Sequence, residues 1–248
     1  MLTKKLTKVI AITLALALTL CSCGGSKAAP SDTVKWINTT YAALTAANDG
    51  DLNVIGGFKK SAITTPLVLE LLKSSWEVTD RASADLAIAG LLTEGHRASF
   101  NAEMAELKEA GILDLSDAEL TEFMKDFTDL NYLTNAITAY QKYGENAIAA
   151  WDYCRILQLY GYFYVADLYT EQEALDASLE AAKTLQTMYP SWDDLMQSYL
   201  YGYQYWQEDD ASDPTSATGK RTAAYETLKA SAENPYVLDW NTPLTKTW

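Results

Sequence analysis

The residues best suited to chemistry in this chain are His96, Arg97, Asp152, Arg155 and Glu173. His96 is the only histidine in the sequence. An imidazole beside a carboxylate can act as a general base near neutral pH. Asp152 and Arg155 stand one helical turn apart, where they can orient that imidazole or hold an anionic substrate group. On this reading the chain is a hydrolase or transferase using His96, Asp152, Arg155 and Glu173, and the His96 segment must pack against the helix carrying Asp152. The alternative is structural: the same residues form buried ion pairs and caps that tie helices together. An unpaired buried charge is very costly, and ion-pair networks commonly imitate active sites. The structural alternative takes precedence.

A second set could bind without reacting. Tyr199, Tyr201, Tyr203, Tyr205 and Trp206 crowd one segment, with Trp192 upstream. Tyr199, Tyr203 and Trp206 follow helical spacing and read as a core stripe. Tyr201 and Tyr205 face elsewhere and, with Arg97, Trp151 and Trp192, are candidates for gripping a protein, a small molecule or a glycan. Metal ligation has little support, since one histidine and one mature free cysteine cannot make a usual zinc site. The acidic loop Glu208, Asp209, Asp210 and Asp213 lacks the spacing of a calcium loop. The sequence carries no phosphate loop, dinucleotide fingerprint or serine-nucleophile elbow, so no cofactor is expected.

The amino terminus supplies an address. Lys4, Lys5 and Lys8 precede an uncharged apolar run, residues 9–20, that is short for a membrane span of about 20 residues. This pattern predicts a cleaved signal peptide over residues 1–22. In the segment LCSC, small Ser22 precedes Cys23 and aliphatic Leu20 stands three before it, whereas bulky Leu20 precedes Cys21. Cys23 is therefore the expected lipidation site. Residues 23–32 form the lipidated end and a tether rich in Gly, Ser, Ala and Pro. Dual acylation suffices for stable anchoring, which places the domain at the cell membrane on its extracytoplasmic face. Cleavage leaves Cys154 as the one free thiol, most simply a small buried hydrophobe. The net charge is −14, and loss of three lysines with the signal peptide makes it −17. No basic run interrupts that acidity, so nucleic acid is disfavoured as a partner.

Residues 33–248 must position these groups, and their patterning is helical. Strand signals are scarce, and the expectation is one all-α domain of about eight to ten helices. Ser116 with Glu119 and Thr170 with Glu173 form capping boxes, and Ser191 with Asp194 makes a similar start. Thr65 before Pro66 reads as a further cap, Asn146 as the cap of the next long helix, and Gly95 as a boundary between one or two helices. The segment SYLYGYQYW alternates like a strand, but its upstream cap and unbroken length favour a helix over 192–207. Residues 147–168 are apolar around nearly the whole helical circumference, the mark of a buried central helix. Its few polar residues, Asp152, Arg155 and Gln158, form one stripe.

Taken together, Trp76, Gly95-His96-Arg97, Ala150-Trp151-Asp152 with Arg155, Glu173-Ala174, Ser191-Trp192, Gly202, Trp206 and Trp240 form a pattern over about residues 66–241. It resembles the bacterial family called domain of unknown function 1266. Where that family often has a glycine after its Tyr-rich turn, this chain has Asp167. The resemblance implies the fold and the helix order and supplies no activity. The sequence thus describes a membrane-anchored lipoprotein whose helical domain is expected to be a non-catalytic binding or interaction module, with the hydrolase or transferase as the alternative.

Overall fold

The computed structural model describes residues 29–125 and 131–248. The signal peptide, Cys21, Cys23 and most of the tether lie outside the described residues. The described chain is all-α. Its helices are α1 (Asp32–Thr40), α2 (Ala42–Ala47), α3 (Thr64–Trp76), α4 (Arg81–Thr93), α5 (His96–Glu109), α6 (Asp117–Met124), α7 (Asn131–Tyr143), α8 (Ala149–Val165), α9 (Glu171–Met188), α10 (Trp192–Gln207) and α11 (Ala217–Ala230). Only Tyr41 separates α1 from α2, so these two act as one broken rod. No helix among the described residues is long and apolar enough to cross a membrane.

Helix α8 is the axis of the fold. Fourteen of its 17 residues are buried, which its all-round apolar pattern requires. Helices α9, α10, α4, α3, α1 and α5 pack around it. Gly202 lets α10 approach closely, since a Cβ there would lie 2.3 Å from Cβ of Trp151. Trp36 of α1, Trp192 of α10 and Trp240 near the carboxyl terminus form an aromatic cluster with ring centroids 4.8 to 5.1 Å apart. The Trp36 indole N–H donates to the carbonyl of Trp240 at 3.0 Å.

Local signals set several boundaries. The capping boxes of Ser116 with Glu119 and Thr170 with Glu173 are complete. Ser191 accepts from the Asp194 N–H to open α10, whose span matches the expected 192–207. Gly95 separates α4 from α5, so its neighbourhood contains two helices.

Two caps differ from the sequence reading. Helix α3 begins at Thr64, and Ser61 accepts the Thr64 N–H, while the Thr65 hydroxyl donates to the Val165 carbonyl. Asn146 does not cap α8 with its side chain. The Ala150 N–H instead donates to the Tyr189 hydroxyl at 3.0 Å and to Ser198 Oγ at 3.3 Å. A tertiary cap from α10 and the end of α9 thus does the work assigned to a local one, because the start of α8 is buried beyond water's reach.

Candidate functional site

Asp152 is the hub of the His96 cluster. It lies in the first turn of α8 and is fully buried, although it is ionisable. Burial at that depth demands partners on every lone pair. Its Oδ1 accepts the His96 N–H and its Oδ2 the Arg97 N–H, both at 3.1 Å. The carboxylate therefore caps α5 from another helix, where the backbone dipoles favour negative charge. Arg97 Nη1 adds a third bond at 3.2 Å, and Arg155 Nη2 a fourth.

The same arginines reach further. Arg97 donates to the carbonyls of Leu91 and Leu92, satisfying the carboxyl end of α4. Arg155 returns to the Trp151 carbonyl at 3.0 Å, and its guanidinium carbon lies 4.2 Å from the Trp151 ring centroid. Burial lowers the Arg155 pKa, while the neighbouring Asp152 carboxylate opposes that shift. The cluster stitches the end of α4, the start of α5 and α8 together.

His96 is placed as an acceptor. Its Nδ1 lies 2.9 Å from Arg155 Nη2 and 3.2 Å from the Trp151 indole N–H, which donates to it. Arg155 has no acceptor capacity, so Nδ1 carries a lone pair and the neutral ring has its proton on Nε2. Burial, then the Arg155 charge, pushes the imidazole pKa down to about 4, against the pull of Asp152. At neutral pH the ring is uncharged and its basic nitrogen is occupied by two donors.

Glu173 stands apart. It is exposed, completes the α9 capping box and pairs with Arg81 Nη1 at 3.0 Å. Its pKa falls to about 2, chiefly through the Thr170 N–H and hydroxyl and then Arg81. Arg81 opens α4 and the His96 cluster follows its other end, a separation of roughly 18 Å along the helix. The structure therefore joins His96, Arg97, Asp152 and Arg155 and leaves Glu173 outside.

The aromatic candidates divide. Trp192 is sealed between Trp36 and Trp240, and its N–H donates to the Leu238 carbonyl. Trp151 is buried against Tyr199, Tyr203 and Trp206. Tyr205 packs edge-on against Phe100 and donates to Glu103 at 2.7 Å. Tyr201 alone of these lines a surface groove of about 390 Å³ between α7, α10 and α11. That groove also takes in Asn135, Lys142, Asp193, Gln204, Thr218 and Lys229. A smaller one of about 280 Å³, between α4, α8 and α9, is largely apolar. His96 lines neither groove.

The wall residues of the larger groove were not singled out from sequence. Asn135, Lys142 and Lys229 occupy ordinary helix-surface positions, Thr218 is a buried threonine with no sequence signal of its own, and the one available signal was Tyr201 lying off the core stripe of its helix. Cys154 is buried, and burial raises its thiol pKa far above the usual range. Among the described residues no group of three or more His, Cys, Asp or Glu side chains is placed to hold a metal ion.

The family model described as protein of unknown function DUF1266 matches residues 71–240, and the chain belongs to that family. The match takes in α4 to α11, and with them the Asp152 hub and every residue lining the larger groove. Neither a curated protein nor a solved structure matches the chain.

Proposed function

We propose that this chain is a lipid-anchored module on the extracytoplasmic face of the cell membrane that binds a ligand in the groove between α7, α10 and α11. The observation carrying this reading is the contrast between the two candidate sites. The polar cluster of His96, Arg97, Asp152 and Arg155 spends its hydrogen-bonding capacity on helix ends and on itself. The groove instead presents polar side chains and the Tyr201 ring to solvent, at a volume within the range of about 300–1,000 Å³ usual for small-molecule sites. The anchor rests on the Lys-rich start, the apolar run and the Ser22-Cys23 junction. A hydrolase or transferase would need a free basic nitrogen on His96, and two donors hold that atom.

Two experiments test this. Metabolic labelling with an alkyne fatty acid should mark the wild type in the membrane fraction and leave Cys23→Ser unmarked; equal labelling of both sinks the anchor. Thermal-shift screening of the full-length protein in detergent against amino acids, short peptides, sugars and nucleosides should give a stabilising class. No stabilising class, or a compound consumed in a reaction lost in His96→Ala, would overturn the binding reading.

A further inference from the structure

The groove's chemistry points to a class of ligand. Its floor is a single stripe of α10, with Asp193, Gln197, Tyr201 and Gln204 at i, i+4, i+8 and i+11. That stripe runs roughly 16 Å at 1.5 Å per residue. Helices α7 and α11 form the walls.

Four of the five charged side chains lining it pair in place, and the fifth, exposed Glu226 of α11, adds one further carboxylate. Lys142 pairs with Asp194 at 3.1 Å, and Lys229 with Asp193. Hydrogen bonds from Lys229 and Tyr225 hold Asp193 below the usual carboxylate range, and the Ser191 hydroxyl does the most to lower Asp194. Both carboxylates are therefore ionised near neutral pH, and each faces a lysine. A phosphate or carboxylate ligand would have to break one of these pairs. The net charge of the chain disfavours an anion further.

Beside these pairs the groove offers hydrogen-bonding capacity next to a ring. The Asn135 amide donates to Gln204 Oε1 at 2.8 Å, and buried Gln204 in turn donates to the Asp209 carbonyl at 3.0 Å, which holds the half-buried Asn135 amide in the groove wall with its own oxygen unengaged. Both hydrogen bonds to Asp193 fall on Oδ1, so Oδ2 keeps acceptor capacity on a largely exposed side chain. The half-buried Tyr201 offers a ring face, and its hydroxyl is steadied by Gln197 Nε2 at 3.2 Å. A separate observation comes from α11. Thr218 lines the groove at 1% exposure, and its Oγ1 has no hydrogen-bond partner. A buried hydroxyl in that state is less stable than one that is bonded.

We propose that this groove binds a neutral polyhydroxyl ligand, a sugar or short neutral glycan, with the apolar face of a sugar ring on Tyr201 and its hydroxyls on Asn135 and Asp193. Hydroxyls donate and accept in turn, which suits acceptor oxygens, amides and the Thr218 hydroxyl alike. The inference rests on the binding-module reading and narrows it to one chemistry.

The test is saturation-transfer NMR and calorimetry on the full-length protein in detergent. The probes are cellotetraose and tetra-N-acetylchitotetraose as neutral glycans, tetragalacturonate and chitosan tetramer as charged ones, and tetra-alanine as a peptide. At least one neutral glycan should bind, with affinity falling about tenfold or more in Tyr201→Ala and largely kept in Tyr201→Phe, which retains the ring. Binding of neither neutral glycan, preferential binding of a charged one, or an affinity unchanged in Tyr201→Ala would overturn the proposal. Binding of tetra-alanine alone, weakened by Tyr201→Ala, would remove the polyhydroxyl ligand while leaving a binding module in place.

Discussion

Gly95 and Asp152 are fitted to one another: a Cβ added to Gly95 would lie 2.4 Å from Asp152 Oδ2 and 2.6 Å from the Leu91 carbonyl oxygen. The glycine is needed for space, because the carboxylate must come within reach of two N–H groups at the head of α5. Gly95→Ala should destabilise the fold by about 2–3 kcal/mol through overpacking. Asp152→Ala should lose about 3–5 kcal/mol, since it leaves Arg155 buried beside no carboxylate. Urea denaturation checks both, and an Asp152→Ala midpoint equal to wild type would deny the hub its structural role.

The depressed pKa of His96 sets a sign for stability against pH. Its folded value is about 4, below the ordinary value of 6.5, so as pH falls the unfolded chain takes the proton first. The stabilisation is fully present above pH 6.5 and is lost as pH falls from 6.5 towards 4. With partial solvent screening of this half-buried ring, the loss is on the order of 1–2 kcal/mol. His96→Gln should flatten that part of the profile in urea titrations at stepped pH. A mutant profile parallel to wild type across this window would contradict the assignment.

Asp167 occupies a left-handed turn with φ of 67° and pairs with Lys60. This is the place where the family resemblance led one to expect glycine, and a short polar side chain tolerates it where a branched one does not. Asp167→Val should lower stability by about 1–2 kcal/mol. Asp167→Gly should leave it unchanged or raise it by up to about 1 kcal/mol. Thermal melts of the two variants should separate in that order.

Cys154 is buried in the core with a raised thiol pKa. The thiolate is the reactive form, so iodoacetamide should leave this residue unmodified in the native protein and alkylate it in denaturant. Peptide mass mapping reads the site directly. Rapid native alkylation of Cys154 would mean that the α8 core opens.

The helical architecture was legible because its signals are local. Ser116 and Glu119, or Thr170 and Glu173, lie three residues apart and satisfy each other whatever the rest of the chain does. The cap of α8 was misread for the opposite reason, since its hydroxyls come from Tyr189 and Ser198, 39 and 48 residues away from Ala150. The union of His96 with Asp152 had the same non-local character; the stripe on α8 announced a need for partners without naming them. Glu173 looked chemical by type, yet its own cap and Arg81 account for it. The groove was hidden because its charged residues have the spacing and composition of ordinary solvated helix faces.

The bond from Trp36 to the Trp240 carbonyl joins positions 204 residues apart. It dictates an order of events in folding. Trp192 cannot be enclosed until Trp240 is in place, so the α1 face of this cluster closes only when residues from both ends of the domain meet. A chain cut before Trp240 should therefore leave the Trp36–Trp192 face open however well its individual helices form.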